Sequence, residues 1–289
     1  TKDSGFINIL LTFNRDLLIK SFESKKELIM NIIICNTEQQ VFKVLLLKNF
    51  SNYLGLHNMF NKKIILAMDV GSSPIKNHSK DYQSGALSFE IVSNGQKLIS
   101  NSGYYSDRKN KLNKLSKSSA LQSTLTIEDY SSCSFKRNKD SGYIVNNGLN
   151  ITKKNIILED NYWKISSAHD GYFQKFGIIH EREIEFYPEQ LKFVGLDKIL
   201  NKDINKNIKF DIRFHLDPNS KVMKTQDNKS ILIELEDQGW KFNCNNYDIN
   251  IDNGLYFGNK NSYKENQNIL ISGMNNQKEQ IIKWEITKL

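Results

Sequence analysis

The sequence predicts an all-β fold, a sandwich or barrel assembled from many short strands. Three observations lead there. From Gly55 onward, β-type runs recur at a spacing of about 8 to 12 residues, the rhythm of antiparallel β-domains. The runs are punctuated by turn clusters such as Gly71-Ser72-Ser73-Pro74 and Ser93-Asn94-Gly95, where glycine and asparagine accept backbone angles that other residues resist. No segment repeats at a fixed period, which excludes a propeller or a solenoid.

Taken in order, residues 6–14 read as a strand. Residues 15–50 contain at least one helix: Glu23 to Leu28 is helix-friendly, and Gln39 to Leu47 is apolar without a clean period. Strands follow at Ile64–Val70, Ala86–Val92, Lys97–Asn101 and Ser123–Ile127. Between the last two, residues 106–119 are polar and basic and read as a solvated surface loop. The rhythm continues through Tyr143–Val145, Asn155–Leu158, Tyr162–Ser166, Ile178–Phe186, Gln190–Leu196 and Ile208–Leu216. It closes with Ser230–Leu235, Gly239–Cys244, Asp248–Ile251, Asn268–Ser272 and Ile281–Ile286.

Composition narrows the function classes. The chain of 289 residues is long enough for one large or two modest domains, and its 39% hydrophobic and 25% charged content is that of a soluble globular protein. The net charge is +8, with lysines spread along the chain rather than gathered in a stripe. That argues against a nucleic-acid partner and suits a polyanionic carbohydrate. Cys35, Cys133 and Cys244 are too widely spaced for a metal pattern or a disulfide framework. No apolar run approaches the ~20 residues of a membrane-spanning helix. No signal peptide is present and the chain begins at Thr1, so a fragment of a longer protein is expected.

The stretch richest in chemistry is 166–186. It holds His169, Asp170, Tyr172, His180 and Arg182. Asp170-Gly171 is a hairpin-turn signal. Beyond it, period two places His180, Arg182, Ile184 and Phe186 on one face of a strand and Glu181, Glu183 and Glu185 on the other. Two histidines, a tyrosine and an arginine around one hairpin suit an anionic substrate. The alternative is a satisfied turn histidine beside an exposed charged strand.

Several motifs in sequence order resemble the C-terminal β-sandwich of the heparinase II/III-like polysaccharide lyases. They are Lys62 to Gly71, Gly85 to Glu90, Ile99 to Gly103, Ser119 to Leu125, Ala168-His169-Asp170-Gly171-Tyr172, His180-Glu181-Arg182, Arg213 to Pro218 and Gly239-Trp240. The resemblance implies a large antiparallel β-sandwich (a super-sandwich) over 57–289. It implies a short mixed or helical N-terminal segment over 1–56, the remnant of or linker from a preceding α/α toroid. That toroid, missing here, would be a partner domain.

The family chemistry implied is β-elimination at a uronic acid. A base removes the C5 proton, the carboxylate is neutralised, and an acid protonates the leaving oxygen. Carried onto this chain, it makes His169, Tyr172, His180 and Arg182 the catalytic candidates. Arg182 would clamp the uronate carboxylate, and His169 would act as acid/base or donor. Gln83, Asn101, Gln122, Arg213 and His215 become substrate-binding candidates, although His215 also reads as a packed mid-strand residue. Relatives that bind a structural zinc resemble a His, acid, His set where this chain has Gln83, Asn101 and Gln122. Carboxamides are poor zinc ligands, so no metal or cofactor is expected, and the three amides are expected to hydrogen-bond one another. His78 and Asp81 do not replace the set.

The function so implied is a lyase acting on an anionic, uronate-containing glycan, with this part inactive alone. The periplasm or cell envelope of a Gram-negative bacterium is the expected location, with the cytoplasm open. The alternatives are a non-catalytic carbohydrate-binding domain, with Tyr104, Tyr105, Trp163 and Tyr172 as stacking platforms, or a structural domain.

Overall fold

A computed structural model of the chain describes residues 32–36 and 64–289, apart from short stretches at 76–77, 140–141, 160–161, 203–206, 245 and 259–261. The strand read at 6–14 and the helix read within 15–50 lie outside the described residues. The part of that region that is described is a strand, β1 (Ile32–Asn36).

The following elements are β2 (Ile64–Asp69), β3 (Phe89–Ser93), β4 (Gln96–Ile99), helix α1 (Lys111–Leu115), β5 (Leu125–Ile127), β6 (Ser134–Asn138) and β7 (Gly142–Asn147). Next come β8 (Ile151–Glu159), β9 (Tyr162–Tyr172), the one-turn helix α2 (Phe173–Phe176), β10 (Ile178–Tyr187), β11 (Lys192–Asn201) and β12 (Ile208–His215). The chain ends with β13 (Lys221–Lys224), β14 (Ser230–Glu234), β15 (Gly239–Asn243), β16 (Ile249–Tyr256), β17 (Lys264–Asn275) and β18 (Glu279–Lys288).

One layer is an eight-stranded antiparallel sheet in the order β13-β14-β15-β18-β11-β10-β9-β8. Two four-stranded sheets, β1-β2-β3-β4 and β16-β17-β12-β5, form the facing layer, joined where Ser100 bridges His215. The fold is therefore the expected antiparallel β-sandwich. Its core is aromatic. Trp284 on β18 lies parallel to Phe89 of β3 at 5.4 Å and to Phe242 of β15 at 6.1 Å, and packs edge-on against Phe214 of β12 at 4.9 Å. Burying each such side chain is worth ~1.5–3 kcal/mol. Gly195 on β11 stands directly opposite Trp284, and any side chain there would run into the indole.

Two local readings are corrected. Asp170-Gly171 is not the turn: β9 runs through to Tyr172, and α2 with Gly177 (φ 70°) reverses the chain. Gly171 serves a close approach instead, because a Cβ would sit 2.5 Å from the Ser132 carbonyl oxygen. Residues 106–119 are not a solvated loop. They contain α1, capped by the Asn110 side chain accepting from the Leu112 amide, and they bury Asn113 and Lys117 completely. Lys117 donates to the carbonyls of Lys80 and Tyr82, which ties this segment to the 80–84 strand connection.

Candidate functional site

The alternation read along β10 holds. His180, Arg182, Ile184 and Phe186 point into the sandwich, while the glutamates line the outer face and pair with lysines. Lys153 meets Glu181 at 2.7 Å, and Lys164 meets Glu183 at 2.6 Å. Register then decides who meets whom. His180 is opposite His169 on β9, and Arg182 is opposite Asp197 on β11.

Asp197, at 0% exposure, is the centre of the cluster. Its Oδ1 accepts from His180 Nε2 at 2.7 Å and Arg182 Nε at 2.8 Å; its Oδ2 accepts from Arg182 Nη2 at 3.0 Å and Trp284 Nε1 at 2.8 Å. Burial alone would raise this carboxyl, but the charge of Arg182 and the bonds from His180 and Arg182 hold it well below the usual carboxylate range. Arg182 spends Nη1 on the carbonyls of Leu87 and Ser123, at 2.8 and 2.6 Å, and lies beneath the rings of Phe89 and Phe214.

The two imidazoles complete a chain. The Gly171 amide donates to His169 Nδ1 at 3.1 Å, so Nε2 carries the His169 proton and faces His180 Nδ1 at 3.4 Å. His180 in turn donates from Nε2 to Asp197. Both rings are neutral in this pattern, consistent with burial pressing both below the ordinary imidazole value. Tyr172 packs 5.6 Å from His169 and donates its hydroxyl to the Leu125 carbonyl at 2.6 Å.

The four catalytic candidates are thus brought together, but inside the core. His169 and Tyr172 are 1% exposed, and His180 and Arg182 are 0% exposed. Arg182 clamps a carboxylate, as its chemistry suggests, and that carboxylate is the chain's own Asp197. Trp163, Tyr105 and Tyr172 are buried as well, which corrects their reading as sugar-stacking platforms; Tyr104 is half-buried.

The substrate-binding candidates are also spoken for. Ser123 is a hub that sequence reasoning missed. Its amide donates to Asn101 Oδ1 at 2.7 Å, its hydroxyl accepts from the His215 amide at 2.9 Å, and its carbonyl accepts from Arg182. His215 donates from Nε2 to the Ala120 carbonyl at 3.0 Å and accepts from the Ser102 hydroxyl at 3.2 Å, and burial lowers it to about 4. Arg213, two residues back on the same face of β12, donates to Thr126 and pairs with Asp211.

The three carboxamides do not bond one another. Gln83 donates to the carbonyls of Gly103 and Ser116, Asn101 engages Ser88 and Ser123, and Gln122 Nε2 has no partner among the described residues. Neutral carboxamides are poor zinc ligands, and Asn101 Oδ1 already accepts from the Ser123 amide. Among the described residues, no group of three His, Cys, Asp or Glu could hold a metal ion.

An eight-stranded antiparallel sheet facing two four-stranded ones makes the chain a large antiparallel β-sandwich domain. The chain belongs to the heparinase II/III-like family, matching its C-terminal region over residues 48–285. Heparan sulfate lyase HepC from Pedobacter heparinus has the same fold, with a TM-score of 0.62 at 12% identity over 78% of this chain and 33% of that one. A heparinase III gene product superimposes with a TM-score of 0.60 at 13% identity, again over 78% of this chain and 33% of that one. FtsZ-localized protein C of Caulobacter vibrioides is 23% identical over 253 residues, which are 83% of this chain and 43% of the relative. The chain thus spans less than half the length of that relative and about a third of the lyases.

Proposed function

We propose that the chain is the glycan-holding sandwich of a polysaccharide lyase that acts by β-elimination on a uronate-containing anionic polysaccharide, and that it does not turn over that substrate alone. The burial and mutual saturation of His169, His180 and Arg182 carry this reading. Elimination needs a base within hydrogen-bond reach of a C5 proton and donors aimed at a carboxylate. Here the imidazoles are closed off from solvent, and the guanidinium is divided between Asp197 and two backbone carbonyls. The network serves to hold the two layers in register, so the proton-transferring groups would come from outside the sandwich core. Family membership supports the substrate class.

The test is to incubate the purified chain with heparan sulfate, alginate and a polyglucuronate, following the ultraviolet absorbance of unsaturated uronate and, separately, binding. Binding without product is expected. Product that disappears in His169→Ala at unchanged melting temperature would return the histidine to catalysis. A failure to bind any uronate glycan would remove the substrate class.

A second reading is favoured by the same burial, since a sandwich without an accessible acid or base needs only its surface to function. On the pattern of FtsZ-localized protein C, that surface would serve an assembly role. Co-sedimentation of the chain with FtsZ polymers, in the absence of glycan binding, would select it.

A further inference from the structure

The fold gathers charge that looks dispersed along the sequence. Residues 104–117 and 134–147 together carry eight Lys or Arg against two Asp, whereas the whole chain carries 40 against 32 Asp or Glu. These two segments pack together. The backbone of Gly142 lies on the Arg108 side chain, where a Cβ would come within 3.2 Å of Cδ. The Lys114 ammonium is 5.7 Å from the centre of the Tyr143 ring, and Lys117 is 5.4 Å from that of Phe135. Arg137 is the cross-strand partner of Tyr143, which puts it on the same face of the β6–β7 hairpin that Lys114 covers.

Lys109, Lys111, Lys114, Lys136, Arg137 and Lys139 are all exposed, and among the described residues none of their charged groups forms an ion pair with a carboxylate. The outer face of the eight-stranded sheet is the contrast. There Lys153, Lys164, Lys192 and Lys198 each meet a glutamate at 2.6 to 3.5 Å. Cations left unneutralised in one area, on a chain that neutralises them elsewhere, make a region of positive potential that draws in polyanions.

We propose that α1 and the β6–β7 hairpin form the docking face for the anionic polysaccharide chain, an inference that rests on the glycan reading above. The rings beside the cations favour a glycan over nucleic acid. Lys117 lies over Tyr104 and Phe135 and Lys114 over Tyr143, so each of these rings already has a cation on one face where a base would stack. A five-residue α1 is also too short to read a groove. A membrane surface would need apolar side chains to insert, and in these two segments Leu115 alone among large hydrophobics is exposed. A polysaccharide bearing carboxylate or sulfate groups needs neither feature. It needs spaced cations with mobile side chains.

The experiment compares two charge-reversal triples in the 289-residue chain, Lys111→Glu/Lys114→Glu/Arg137→Glu and the distant Lys221→Glu/Lys264→Glu/Lys278→Glu, which shift net charge equally. Binding of fluorescent heparin and alginate oligosaccharides is measured by anisotropy at low and physiological salt, after melting curves have shown both triples folded. The first triple is expected to lose affinity at least about tenfold and most of its salt sensitivity, while the second stays within about twofold. Equal losses, or none, overturn the docking face. Duplex DNA or anionic vesicles bound as tightly as the glycans overturn the choice of ligand. Glycan binding that survives the first triple removes this face and leaves the glycan reading intact. Glycan binding without elimination in the absorbance assay bears on the lyase chemistry alone.

Discussion

Asp197 accepts four hydrogen bonds at a position closed to water, and that makes it a side chain on which the sandwich depends heavily. Neutralising it leaves the Arg182 guanidinium buried without a counter-charge. Asp197→Asn should therefore cost about 3–5 kcal/mol, visible as a large fall in melting temperature. A milder loss, as for an exposed ion pair, would mean that Arg182 finds another partner. Glu90 is the opposite kind of buried acid. Its Oε1 accepts from the Asn101 amide, its Oε2 has no partner among the described residues, and burial pushes it up to about 7. Because its folded-state value lies above the unfolded one, its contribution is full below the ordinary carboxylate pKa of about 4 and is lost as pH rises through about 7. Glu90→Gln should accordingly be more stable than the parent above pH 7, with the gain shrinking toward pH 4. Denaturant titrations at several pH values that show a constant difference would refute this.

At the scale of elements, the pairing of β11 with β18 depends on a missing side chain. Trp284 lies across Gly195 and is held from both sides by Phe89 and Phe242. The indole cannot step aside, and Gly195→Ala should destabilise by ~1–3 kcal/mol as an overpacked core does. Wild-type stability for that variant would mean that the strand pair slides. This pair also separates what the sequence could reveal from what it could not. The inward row of β10 was legible because period two is a local property, and strands were legible at 190–196 and 281–286 for the same reason. Asp197, one residue past the expected strand end, became the partner of Arg182, and the indole of Trp284 the partner of Asp197, only through cross-strand register, which pairs residues far apart in the chain. The hairpin turn was misread because Gly171 answers to the Ser132 carbonyl, a neighbour that no local pattern reveals.

For the whole molecule, fold class was written in the strand rhythm, and the family in motifs that recur along most of the chain. The burial of the candidate site was not, since a polar cluster on an alternating strand reads alike whether its face meets solvent or a second sheet. The charge distribution was hidden for a related reason: α1 and the β6–β7 hairpin are separated in sequence and joined only by packing. The clamp made by Arg182 also bears on how the chain reaches this state. Its contacts to Leu87 and Ser123 span 95 and 59 residues, and Asp197 reaches 87 residues to Trp284. Contacts over such separations form after local pairing, because closing the intervening chain costs entropy before it is rewarded. A guanidinium gains little from partial desolvation, so the clamp belongs after the transition state rather than in it. Asp197→Asn should then speed unfolding by about two to three orders of magnitude, the equivalent of most of its stability cost, while leaving the refolding arm of the chevron nearly unchanged. The lock at the centre of the sandwich would set how long the folded molecule lasts, and have little say in how fast it forms.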